Sequence, residues 1–414
     1  MNRRTLLVSL FGAALAASME ALAQQGRRPR VLLRNAWQSI NIGDIAHYLG
    51  FFELMEKHQI DAEFRLWPAT LKDGADALLK KRFPKVIILD TPEKITTAIQ
   101  ECDFLVAGSS SGFAGSSAVG RWVKEAPGKP YGVLGISFLG GGKEEIEKLT
   151  NAKFVFFRDT VAMALAKEQG VQCPIMEYGP DTAFGVVTLR NDEAAVAFLK
   201  QHGLEEGKFL CCIPRYRMTP HWILGKGRPF DEKKHARNEE MKEHDHKPLR
   251  EAIIAVTSQT DLKVLICCED QTQIPLGKEM IYDKLPEETK KKVVWKDSYW
   301  LTDEALSTFV RSAGLFGNEM HSPIMCIASG IPAIVCRFKD QTTKGYMWRD
   351  IGLNDWLFDL DLEEEVARIV PAVLDMAKNP AKAKAYAAQG REKMLKFQAR
   401  EIEVLKENLA KAVG

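Results

Sequence analysis

The chain has 414 residues, 46% hydrophobic and 27% charged, enough for two or three domains with buried cores. Lys and Arg number 57 against 55 Asp and Glu, for a formal net charge of +2. This balance excludes wholesale disorder and a strongly basic nucleic-acid binder.

In chain order, the N-terminus reads as an export address. Arg3-Arg4 precede an apolar stretch over residues 6–17, and Ala21-Leu22-Ala23 supplies the small-x-small pattern that a signal peptidase accepts. The arginine pair followed by Thr5-Leu6-Leu7 predicts a twin-arginine signal over 1–23. Cleavage delivers a protein without an integral membrane segment to the periplasm or cell envelope; the alternative is an uncleaved membrane anchor. Beyond this segment no apolar run reaches the roughly 20 residues of a spanning helix.

From Arg30 onward short apolar runs alternate with longer amphipathic ones, the pattern of parallel sheets wrapped by helices. Strands are expected over 30–34, 62–66, 86–89, 104–107, 131–136 and 154–157, with helices such as 44–57 and 160–169 between them. A second series runs over 209–213, 262–267, 293–295, 314–316 and 333–335. The expected architecture is therefore α/β: an N-terminal domain over 27–195, a C-terminal domain over 205–361, and a helical segment over 362–414 broken at Asn379-Pro380 and bent near Gly390. The polar stretch 225–248 carries His235, His244 and His246. It reads as a solvated loop or exposed helix, with a His-Asp-His metal site as the alternative. The eight cysteines include the adjacent pairs Cys211-Cys212 and Cys267-Cys268 inside apolar runs. They read as small core fillers, with one or more bridges as the alternative.

Ligands of open parallel sheets bind beyond the carboxyl ends of the strands. After the first strand, Gly43 suits a tight turn and Asp44 a helix cap. The small-residue loop Gly108-Ser-Ser-Ser-Gly-Phe-Ala-Gly-Ser-Ser117 lets a ligand approach backbone N–H groups, or is simply a mobile turn. It is neither a Walker loop nor a GxGxxG fingerprint. Ser322 reads as an N-cap with Pro323 at the first helical position, which puts His321 at a helix N-terminus, where an anion would be favoured and would raise the imidazole pKa. Arg158, Arg215, Arg217, Lys339, Lys344 and Arg349 follow other strands as candidate cations. No metal ligand set and no cofactor motif is read from the sequence.

Asn41-Ile-Gly-Asp44, the loop after 104–107, Gly135-Ile-Ser137, Phe157-Arg-Asp159, Gly179-Pro-Asp-Thr-Ala-Phe184, His321-Ser and Gly330-Ile-Pro-Ala333 recur in an order that resembles the polysaccharide pyruvyl transferase family. The resemblance implies two Rossmann-like domains facing across a cleft, as in GT-B glycosyltransferases, with a terminal helix crossing back to the first domain. It further implies transfer of a pyruvyl group from phosphoenolpyruvate, a small anionic donor, onto two hydroxyls of a glycan acceptor, forming a ketal. His321 is the position that matches the family's, as proton donor or phosphate contact. By chemistry, Arg158, Arg215 and Lys344 become clamps for the donor, and Asp44 or Asp181 a base or sugar contact. Asn41, Gly43, Ser109, Ser110 and Glu319 complete the expected substrate-binding set. The sequence departs from the family where Glu319-Met-His321 replaces Arg-x-His, setting an anion near the expected phosphate unless it pairs with a cation. The export signal is a second departure, since phosphoenolpyruvate is cytoplasmic. The alternatives are an exported carbohydrate-binding or envelope protein that keeps the fold without transfer, and a glycosyltransferase using a nucleotide sugar.

Overall fold

The computed structural model describes residues 27–225 and 227–413; the expected signal over 1–23 lies outside them. The first domain holds β1 (Arg30–Asn35), β2 (Glu63–Pro68), β3 (Ile87–Ile88), β4 (Phe104–Ala107), β5 (Ser110–Ser111), β6 (Tyr131–Ser137), β7 (Val155–Phe157) and β8 (Met176–Tyr178). They form a parallel sheet in the order β3-β2-β1-β4-β6-β7-β8, with β5 beside β6. The second holds β9 (Phe209–Ile213), β10 (Lys263–Ile266), β11 (Val293–Trp295), β12 (Gly314–Gly317), β13 (Ala333–Arg337) and β14 (Leu357–Asp359), ordered β11-β10-β9-β12-β13-β14. The central strands β4 and β9 are buried along their whole length, as apolar runs covered on both faces must be. The two α/β units expected from the sequence are present; β5 replaces part of the expected loop, while β8 and β14 extend the sheet edges.

Helix α1 (Ile42–Lys57) joins the domains. It is buried from Ile42 to Met55 apart from Asp44, and a helix buried on all sides must lie between layers. It packs on the short turn Thr182–Gly185 of its own domain and on Thr302–Phe309 of the other. The Ile42 N–H donates to the Glu269 carbonyl (2.9 Å), Gln271 N–H to Ile40 (3.0 Å), and Thr302 Oγ1 to Ile42 (2.9 Å). One apolar cluster consequently runs through both domains.

Residues 225–248 enter α2 (Glu232–Gln259), whose outer half is exposed. Asp245 and His246 are buried, however, so the stretch is not solvated throughout. His246 Nδ1 meets the Lys242 carbonyl while His244 pairs with Asp245 and Glu363, so these histidines do not converge. All eight cysteines are unbridged and all but Cys173 are buried, as core fillers would be. Helix α3 (His321–Ala328) is described below. Helices α4 (Glu363–Lys378) and α5 (Pro380–Lys411) break at Asn379 as expected. Gly390 does not interrupt α5; a Cβ there would lie 2.6 Å from Leu353 Cγ, so its role is close packing. Helix α5 crosses back to the first domain: Phe397 stacks edge-on against Tyr178 at 4.7 Å and Arg400 pairs with Glu177. Among the described residues no helix is long and apolar enough to cross a membrane.

Candidate functional site

At the start of α1, Asn41 is the N-cap, its side chain accepting from Gly43 N–H (2.7 Å) and Asp44 N–H (3.2 Å). The cap expected at Asp44 is thus three residues early, because Asn41 already has extended backbone and a short acceptor. Asp44 accepts from Gln38 Nε2 and faces a cavity of about 500 Å³ shared with Trp37, Ser110, Ser111 and Arg228. One turn along, His47 is buried and points across the domain interface.

His321 is the first residue of α3, and Ser322 lies inside the helix rather than capping it. Glu269, at the carboxyl end of β10, takes the N-terminal donors. Its Oε2 accepts from Ser322 N–H (2.6 Å) and Oγ (2.8 Å), and its Oε1 sits 2.9 Å from His321 Nδ1. The anion expected at this helix end is the protein's own carboxylate. The imidazole pKa moves down rather than up, because burial disfavours the charged ring and the Lys344 cation adds to it. Gly43 is required here by proximity, not by a turn: a Cβ would lie 2.4 Å from the His321 ring.

Arg158, beyond β7, is fully enclosed. Its Nη1 donates to Asp181 Oδ2 (2.7 Å) and its Nε to Ser137 Oγ (2.8 Å), which bonds Asp159. Asp159 caps the next helix through Ala162 N–H and receives Thr343 Oγ1 from the other domain. Asp181 Oδ2 lies 3.3 Å from His47 Nε2 and 4.0 Å from His321 Nε2. Burial opposes its charge, but His47, then Arg158, hold the carboxyl well below the usual range. Ser109 is buried and spent internally, its Oγ accepting from Thr182 N–H and Oγ1.

Glu319 finds the cationic partners its position demands: Arg215 Nη1 donates to it, Gln273 Nε2 bonds it at 2.6 Å, and Lys344 Nζ is 3.8 Å away. Burial, reinforced by Arg215, lowers the Lys344 pKa to about 8. Burial works against the Arg215 charge, yet Glu319 holds its pKa raised. Of the expected set, Arg158, Asp181, Arg215, Glu319, His321 and Lys344 gather at the interface, with Asn41 and Gly43 beneath. Asp44 and Ser110 line the adjoining cavity, and Ser109 is structural. Arg217 turns instead into Asp245, Asp340 and Asp361. His47, Glu269 and Gln273 were not anticipated. The signal for His47 was the Gly43, His47, Gly50 spacing on one helix face; Glu269 stands at a strand's carboxyl end, where ligands belong.

A model of the family described as polysaccharide pyruvyl transferase matches residues 41–339. No curated protein matches the chain. Among solved structures, the UDP-GlcNAc 2-epimerase from Methanocaldococcus jannaschii is similar at 12% identity and TM-score 0.52, over 92% of this chain and 99% of that one. An α,α-trehalose 6-phosphate synthase from Burkholderia multivorans is similar at 9% identity and TM-score 0.55, over 93% and 97%. Anabaena HepE, solved with UDP and glucose, is similar at 11% identity and TM-score 0.52, over 92% and 100%. At such identities the likeness is one of fold, the two-domain GT-B arrangement.

Proposed function

The chain belongs to the polysaccharide pyruvyl transferase family, and from that premise we propose that it transfers the pyruvyl group of phosphoenolpyruvate to a glycan as a cyclic ketal. The observation that carries the proposal is the gathering of Arg158, Arg215 and Lys344 around the His321 turn at the domain interface. In the reaction, one sugar hydroxyl adds to C2 of the enol while C3 takes up a proton. A second hydroxyl then displaces phosphate from C2, so the products are the ketal and inorganic phosphate. Arg215 and Lys344 exchange Glu319 for the donor's anionic groups, charge-assisted contacts stronger than neutral ones. The donor's negative charge raises the His321 pKa, letting the ring, or what its Nε2 binds, protonate C3. The acceptor enters the cavity beside Trp37, where Asp44, on the rim and one turn from His47, takes the hydroxyl proton. Asp181, sealed and ion-paired, orients instead of acting as a base.

Arg158 and Arg215 are each already paired with a carboxylate, which favours, as the second reading, a glycan-binding protein that keeps the fold without transfer. Incubating the protein with phosphoenolpyruvate and a glycan panel while following phosphate release decides between them. Release dependent on a glycan supports transfer; glycan binding without release across the panel supports the second reading.

A further inference from the structure

His47, Asp181 and His321 are drawn from three elements and two domains, yet their ligand-type atoms converge. The two Nε2 atoms are 3.1 Å apart, and Asp181 Oδ2 is 3.3 Å from one and 4.0 Å from the other. Metal–nitrogen distances of about 2.0–2.1 Å place neighbouring ligands of a tetrahedral zinc roughly 3.3 Å apart, and two of the three separations fall close to that. We propose that these residues bind a zinc ion at the domain interface.

The electronic requirement points the same way. Glu269 accepts from Ser322 through Oε2, so it is an acceptor toward His321 Nδ1 as well, which leaves His321 Nε2 with a lone pair. That lone pair faces the Asp181 carboxylate oxygen and His47 Nε2, which offers a second lone pair once the His47 proton sits on Nδ1. A cation among them satisfies all three. The outer contacts are those of metal sites, where a ligating histidine gives its other N–H to a carboxylate and a ligating carboxylate is itself hydrogen-bonded. Here Glu269 holds His321, while Arg158 and the Ala183 N–H hold Asp181. His47 Nδ1 has no hydrogen-bond partner and lies 3.8 Å from Asp44 Oδ1, the carboxylate toward which it can hold its proton. The rings stand edge-on at 79°, with their Nε2 atoms the ones that meet. Three protein ligands leave a coordination position open, as in catalytic rather than structural zinc sites.

The site itself does not depend on the donor. Its chemical use does rest on phosphoenolpyruvate being the substrate. Zinc and a proton compete for the same Nε2 lone pair, so with zinc bound the proton for C3 would come from a zinc-held water, and the proton that Asp44 takes from the attacking hydroxyl would return to the hydroxide left behind.

The test is metal uptake by the full chain, without substrate. Protein stripped by a chelator is titrated with Zn2+ by calorimetry and with Co2+ while recording visible spectra. The expected result is one equivalent of zinc, visible bands of four-coordinate cobalt, and a higher Tm with metal. His47→Gln and Asp181→Asn, checked for folding by circular dichroism, lose the cobalt bands, while His244→Ala keeps them. Failure of the wild-type chain to take up either metal, or unchanged bands in folded His47→Gln, overturns the site and leaves a shared proton between the rings. Uptake without any phosphate release leaves the site standing and removes the transferase reading instead.

Discussion

Around Arg217 each guanidinium nitrogen meets a carboxylate inside one domain: Asp245 takes Nε and Nη2 at 2.7 and 2.8 Å, and Asp361 and Asp340 share Nη1. Around Arg158 and Arg215, across the domain interface, the pairing is incomplete. Arg158 Nη2, Arg215 Nε, His47 Nδ1 and Asp270 Oδ2 are buried with no partner. Both clusters follow strand ends and both are ionic, so residue type does not separate them. Pairing at the guanidinium does: Arg217 leaves no nitrogen unpaired, whereas Arg158 and Arg215 each keep a buried nitrogen without a partner, a state that costs about 1–3 kcal/mol and that a bound anion would relieve. The first cluster is a structural pin and the second the candidate site.

The comparison breaks most directly at His321. His321→Ala is expected to lower phosphate release by about 10²–10⁴-fold. It should also cost about 1–3 kcal/mol of stability in denaturant melts, since Glu269 loses a partner in the interior. Release at the wild-type rate would remove the ring from the chemistry. Arg217→Ala should act in the opposite proportion: about 3–5 kcal/mol of stability, the usual effect of stranding buried carboxylates, with KM unchanged for the protein that folds. A substrate effect there would merge the two clusters into one. Gly43→Ala drives a methyl group into the His321 ring, so about 1–3 kcal/mol of overpacking strain is expected together with a loss of activity. Unaltered kinetics would show that the α1 and α3 contact is not needed.

Two pH measurements sharpen the contrast at smaller amplitude. With its pKa lowered to about 8 by burial, Lys344 loses its charge above that pH, so donor binding should weaken up to tenfold for each pH step above 8. Its contribution to stability runs the other way, rising from about pH 8 toward 10.5, because the folded state prefers the neutral amine. Lys344→Arg should flatten both trends. Burial raises the Asp270 pKa to about 6, so its contribution is present below pH 3.8 and lost as pH rises through 6. Asp270→Asn should remove that slope, at most about 1.4 kcal/mol per pH step, from urea melts recorded across this window; an unchanged slope would assign it to other groups.

Most of the fold was legible because the central strands are continuous apolar runs. Phe104–Ala107, Phe209–Ile213 and Val293–Trp295 occur with the bounds their composition implied. The edge strands Met176–Tyr178 and Leu357–Asp359 were not, since each is three residues long and carries an acidic residue. Their pairing comes from the neighbouring strand rather than from local pattern. At the site, the sheet rule located Arg158, Arg215 and His321, but not what each would touch. Arg215 and Arg217 leave the same strand two residues apart and reach different partners. Glu269 escaped notice because it is separated by 52 residues from the histidine it holds, a distance in sequence that no local periodicity spans.

Helix α5 is synthesised after both sheets, yet it docks on the first through Phe397 and Arg400 and buries Glu401 there. During translation the edge at Tyr178 therefore waits, uncovered, for a segment more than two hundred residues downstream. Closure of the early half is a late event, and ribosome-bound chains stopped before Pro380 would carry a naked aromatic edge available to chaperones.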